Sequence, residues 1–94
     1  MDKNTVLKLA PNILKRMEYK VNVFYLFNIE TDEIWTGNEA AGLFISQING
    51  KNSINDLLLI LKEYFEDYTE EILFSSIVEV FDELLKMNFL QIIK

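Results

Sequence analysis

Two residue types are missing from this 94-residue chain. There is no cysteine, which excludes disulfide staples and thiolate chemistry. There is no histidine either, and with it go the commonest general base and the commonest metal ligand. Proline occurs once and glycine three times, so obligatory breaks are few. Half of the residues are hydrophobic, enough to fill a core, and disorder is not expected. Long apolar runs are also lacking: none approaches the ~20 residues that cross a bilayer as a helix. The N-terminus shows no basic region followed by an apolar stretch, so no signal peptide is expected. These absences point to a cytoplasmic protein without a membrane partner.

Positive charge is scarce as well. Nine basic residues stand against fifteen acidic ones, a net charge of −6. Lys3, Lys8, Lys15, Arg16 and Lys20 crowd into the first twenty residues, whereas Glu63 to Glu83 holds eight acids and no Lys or Arg. Such a chain repels phosphate backbones, which argues against nucleic acid as a partner.

What is present suits one small domain spanning residues 1–94. Residues 1–12, closed by Pro11, read as a mixed polar lead-in, with the first ten free to be flexible. Ile13 to Tyr19 alternates imperfectly and is compatible with a short strand. Val21 to Ile29 is a stronger strand, rich in β-branched and aromatic residues. Val21, Val23, Tyr25, Phe27 and Ile29 share one face, and Phe24 and Leu26 share the other. Glu30 to Glu33 is a polar turn of hairpin length, and Ile34-Trp35-Thr36 returns as a short strand ending at Gly37.

Three helices follow. Asn38 caps the first, Ala41, Phe44, Ile45 and Ile48 form its apolar stripe, and Asn49-Gly50 supplies a left-handed stop. Ser53-Ile54-Asn55-Asp56 is a capping box that opens the second. Its stripe of Ile54, Leu57, Leu58, Leu61 and Phe65 is extended by Leu59 and Ile60 to five consecutive apolar residues. That run predicts a helix buried on more than one side, with a partner surface as the alternative. Thr69 caps the third helix, whose apolar arc is about 160° wide against the roughly 100° of one packed face. Leu73, Ile77, Val80 and Leu84 form one half of the arc, and Phe74, Val78, Phe81 and Leu85 the other. Ile72 alone breaks the division from the polar side. Phe89 to Ile93 ends the chain as a short strand or an extended tail.

Catalysis is the poorer reading. Glu63, Glu66, Asp67, Glu70 and Glu71 lie close together and could bind a hard cation or do acid–base work, but a loop and helix ends explain them through solvation and the helix dipole. No catalytic residue, metal ligand or cofactor is assigned. Trp35 is open between a binding aromatic and the anchor of a small core. The order of elements gives an α+β fold class: a winged helix-turn-helix-like layout, with a small antiparallel sheet of two to three strands followed by three helices. A DNA-binding version would carry Lys or Arg on its third helix; here Glu79, Asp82 and Glu83 stand there.

In that order the sequence resembles the PqqD-like proteins, the recognition elements for precursor peptides of ribosomally made natural products. That family's pattern is an aromatic strand, Leu-Asn-x-Ser/Thr-Ala-Ala/Gly, an apolar helix, Asp-Gly, and a second helix opened by Ser or Thr. It corresponds to Ile34-Trp35, Asn38-Glu39-Ala40-Ala41, Phe44 to Ile48, Asn49-Gly50 and Ser53-Ile54 with Leu57, and the likeness covers roughly residues 11–93. Gly37 stands where Leu is usual, Glu39 where Ser or Thr is, and Asn49 where Asp is.

The resemblance implies a non-catalytic module that takes a leader peptide as an added strand and presents it to a modifying enzyme or leader peptidase. It implies a pairing edge at Glu33, Ile34, Trp35, Thr36 and Gly37, and a cleft lined by Phe74, Val78, Phe81 and Leu85. A winged-helix nucleic-acid-binding regulator is the first alternative. A structural interaction domain dimerising through Phe24 and Leu26 is the second; the oligomeric expectation is a monomer or weak homodimer.

Overall fold

The computed structural model describes residues 1–93. Its strands are β1 (Leu7–Leu9), β2 (Ile13–Glu18), β3 (Val23–Asn28), β4 (Ile34–Gly37) and β5 (Leu90–Ile92), and its helices are α1 (Glu39–Ser46), α2 (Ile54–Leu61) and α3 (Glu70–Lys86). The fold is α+β, with two small antiparallel sheets and three helices. Strands β2, β3 and β4 form a meander with β3 in the centre, and β1 pairs with β5. Where the backbone enters the left-handed region away from glycine, the residue is Asn12, Asn22, Asp32 or Asn88. Asn and Asp tolerate that conformation best because their short polar side chains bond locally. Few glycines are therefore needed to turn the chain.

The three helices begin where the caps place them. Asn38 accepts from the Ala41 amide, Ser53 and Asp56 form a reciprocal box, and Thr69 accepts from the Ile72 amide. The end of α1 differs from expectation. The helix stops at Ser46, with Gln47 as its cap. Gly50, at φ 77°, lies beyond it and donates its amide to the Leu7 carbonyl at 3.0 Å. It ties the α1–α2 loop to β1 rather than ending the helix.

The sheet of β2, β3 and β4 has one face in the core. Phe24, Leu26 and Trp35 are buried on it, against Ala41, Phe44 and Ile45 of α1. The other face carries Leu14, Tyr25, Phe27 and Ile34, with Leu14 and Ile34 more than half exposed. Phe24 and Leu26 are thus core residues, and dimerisation through them is ruled out by their burial within the chain. The same core takes Leu57, Leu58 and Leu61 of α2, and Leu73, Ile77, Phe81 and Leu84 of α3. The five-residue apolar run of α2 is not buried on several sides: Leu59 and Ile60 point to solvent.

The N-terminal segment is the largest departure from the sequence reading. It is an integral strand rather than a loose lead-in. Thr5, Val6 and Leu7 are buried. The Thr5 carbonyl accepts from the Ile54 amide at 2.9 Å, and Val6 bridges Ser53 and receives the Ile93 amide at 2.8 Å. Ala10 donates to the Phe89 carbonyl at 2.9 Å. This clasp joins both ends of the chain to the start of α2 and covers Phe89 and Leu90, which are fully or almost fully buried. Leu7, 2% exposed, sits at its centre. Leu7→Ala is expected to cost about 2–4 kcal/mol and to lower the melting temperature by roughly 10 °C or more, measured by thermal denaturation. A flexible lead-in would show no change.

Candidate functional edge at strand β4

The candidate site is built from backbone before side chains. Among the described residues, β4 is bonded to β3 on one side and has no strand on the other. In an antiparallel pair, residues alternate between those whose N–H and C=O face the partner and those whose groups face away. The Asn28 amide donates to the Glu33 carbonyl at 2.9 Å, which fixes the phase. In the register Leu26↔Trp35 and Phe24↔Gly37, the backbone groups of Glu33, Trp35 and Gly37 turn toward β3. Those of Ile34 and Thr36 turn outward. The residue just after β3 agrees: the Ile29 amide donates to the carbonyl of Asn12, the residue before β2, at 3.1 Å.

The five residues expected to pair with a peptide therefore divide. Ile34 and Thr36 present free donors and acceptors; Glu33, Trp35 and Gly37 have theirs directed inward. Neither Lys nor Pro lies in β4, the usual guards of an exposed edge. The opposite edge, β2, is guarded: its outward-facing backbone positions are Ile13, Lys15 and Met17, and Lys15 is exposed there.

Trp35 is a core anchor. It is 8% exposed, and its ring folds back along its own strand over Gly37. A Cβ at Gly37 would stand 2.5 Å from Cη2 of Trp35, 2.7 Å from Cζ3 and 3.0 Å from Cβ of Ala41. Gly37 is present because the indole occupies the space a side chain would fill, and it carries no positive φ. One residue later, Asn38 caps α1, so this contact fixes the angle between edge strand and helix.

The expected cleft residues also divide. Phe81 is fully buried and belongs to the core, so it cannot line an open groove. Phe74, Val78 and Leu85 are half-buried and form a strip along α3. The strip is not wholly open, since Nζ of Lys3 lies 5.8 Å from the Phe74 ring centroid and 4.0 Å from Glu70. A hollow of about 220 Å³ opens elsewhere, between α1 and the far end of the meander. Met17, Phe24, Gly42 and Leu43 line it, with Glu39 and Ser46 at its rim. Neither this hollow nor the exposed Leu14 was singled out from sequence; β2 alternates too weakly to show which of its residues face outward.

Among the described residues, no three acidic side chains converge to hold a metal ion, and no helix is long and apolar enough to cross a membrane. The exposed side of α3 carries Glu71, Glu79, Asp82 and Glu83.

The contact of Trp35 with Gly37 is testable. Gly37→Ala is expected to destabilise by about 1–3 kcal/mol through overpacking and to red-shift Trp35 fluorescence. In Trp35→Leu the same change should be nearly silent, a coupling of about 1 kcal/mol or more in a double-mutant cycle. Additive effects would mean that the indole does not occupy this slot. Comparison of the chain with protein-family models, with curated proteins and with solved structures finds no match.

Proposed function

We propose that this protein is a non-catalytic recognition module that binds the leader segment of a ribosomally made precursor peptide as an added strand on β4 and presents it to a modifying enzyme or leader peptidase. The observation that carries the reading is the unguarded edge, with the free backbone groups of Ile34 and Thr36 and no lysine or proline. The resemblance of Asn38-Glu39-Ala40-Ala41 and the capped helices to the PqqD-like pattern supports it. So does the lack of His and Cys in the sequence, which removes the commonest general base and any thiolate nucleophile.

Energetics set what the peptide must bring. Two residues offer two donors and two acceptors, and each bond contributes ~1 kcal/mol net. Submicromolar binding needs at least about 8 kcal/mol. Apolar side chains of the peptide must supply the remainder, and the half-buried strip of Phe74, Val78 and Leu85 on α3 is the surface proposed for them. A nucleic-acid regulator on the same layout is disfavoured by the carboxylates of α3 and the net charge of −6. A cytoplasmic site of action follows from the same reading.

The test is proline substitution in the two phases of the strand. Thr36→Pro removes an outward-facing donor and no donor of the β3 ladder, so the fold should survive by circular dichroism. Leader affinity, read by titration calorimetry with the precursor's leader peptide, should fall at least about tenfold. Leu85→Ala should weaken binding with a smaller effect on melting. A folded Thr36→Pro variant that binds the leader as the parent does would rule out strand addition at this edge.

A further inference from the structure

Large apolar side chains stand exposed on α2 and in the turn after it, among the exposed Asn55, Asp56, Lys62 and Glu63. Leu59 is 61% exposed, and Tyr64 and Tyr68, in the turn that follows, are 63% and 50% exposed. Ile60 is partly open, and Ile72, in the first turn of α3, is 54% exposed. The five-residue apolar run thus exceeds what the core uses: Leu57, Leu58 and Leu61 fill the core side, while Leu59 is left mostly and Ile60 partly in solvent. Leu59 and Tyr68 line one shallow cleft between the two helices, floored by Leu58 and Leu73, with Lys62 and Glu70 at its rim. Glu63, Glu66 and Asp67, in the turn between the two helices, and Glu71, in the first turn of α3, are all exposed. None of these four forms an ion pair among the described residues, where the pairs are Lys3 with Glu70 and Arg16 with Glu18.

We propose that the α2–α3 turn is a docking surface for a basic amphipathic segment of a partner protein, with apolar side chains meeting Leu59 and Tyr68 and Lys or Arg residues meeting the surrounding carboxylates. Charge selects this occupant. A second copy docked by two-fold symmetry would set the same carboxylates against one another. Anionic lipid and nucleic acid are repelled for the same reason. A partner with a cationic rim around an apolar stripe gains both desolvation of Leu59 and charge complementarity. The surface lies on α2 and α3, and its assignment is independent of peptide addition at β4.

The probe is a synthetic amphipathic helix of about 14 residues, close to four turns, made of Leu and Lys, with a Leu and Glu counterpart. Each is titrated at low ionic strength into the full chain labelled with nitrogen-15. The Leu/Lys peptide should shift amides of residues 59–72 most, and the Leu/Glu peptide should not bind. Leu59→Ser and the double change Glu66→Lys with Asp67→Lys should each weaken binding at least about fivefold, whereas Glu30→Lys, in the β3–β4 turn, should leave it unchanged. All four positions are exposed, and circular dichroism checks that each variant is folded. Equal affinity in Leu59→Ser, or equal loss in Glu30→Lys, would overturn the proposal by reducing the interaction to diffuse charge. Concentration-dependent shifts of residues 59–72 in peptide-free protein would overturn it in favour of a second copy.

Discussion

Strand β4 is four residues long, and the alternation of its backbone imposes a division of labour on it. Trp35 and Gly37 give their N–H and C=O groups to β3, with the indole of Trp35 turned into the core and folded over Gly37. Ile34 and Thr36 are left with backbone groups facing away from the sheet. The same period of two that anchors the strand thus creates its open edge. Placing Asn38 directly after Gly37 makes the first helix start from the anchored end of the strand. Edge, core and helix are consequences of one register.

The parts of this arrangement legible in the sequence are those specified locally. Asn38, Ser53 and Thr69 cap helices because a side-chain oxygen within three residues satisfies a free amide, and no distant partner is needed. The aromatic, β-branched run from Val21 to Ile29 shows the central strand for a similar reason. Which face of that strand is buried was not legible, because Tyr25 and Phe27 are as apolar as Phe24 and Leu26. Only the packing of α1 against one face decides it. The β1–β5 clasp was half legible: Phe89 to Ile93 suggested a strand, but its partner at Leu7 to Leu9 lies at the other end of the chain. A segment as short as Val6-Leu7-Lys8-Leu9 has no pattern of its own. The wide arc of α3 correctly announced more than one environment, yet periodicity placed Phe81 with the wrong half. Helical angle separates it from Leu85 by only about 40°, less than the difference between a core and a groove position. Gly37 ends the strand as its sequence position suggested, and it also accommodates the ring of Trp35.

Charge organises the surface as burial organises the interior. Lys15 and Arg16 lie on β2, guarding one edge of the sheet, and β4 is left without such a guard. The acids gather on α3 and in the turn before it, where they disfavour nucleic acid and surround the exposed Leu59, Tyr64 and Tyr68. Open edge and acidic apolar turn belong to different elements, so the proposed peptide site and the proposed docking surface do not overlap. An adaptor that holds a peptide while a second protein acts on it requires that separation.

The most direct measurement is amide hydrogen exchange resolved to single residues of β4, without ligand and then with leader peptide. In the free protein the account requires alternation: Trp35 and Gly37 protected through their bonds to β3, Ile34 and Thr36 exchanging as exposed amides. On adding the leader, protection should appear at Ile34 and Thr36 and change little at Trp35 and Gly37. Protection of Ile34 and Thr36 before any peptide is added, or its absence at saturating peptide, would contradict the claim that this edge is open and that a leader pairs with it.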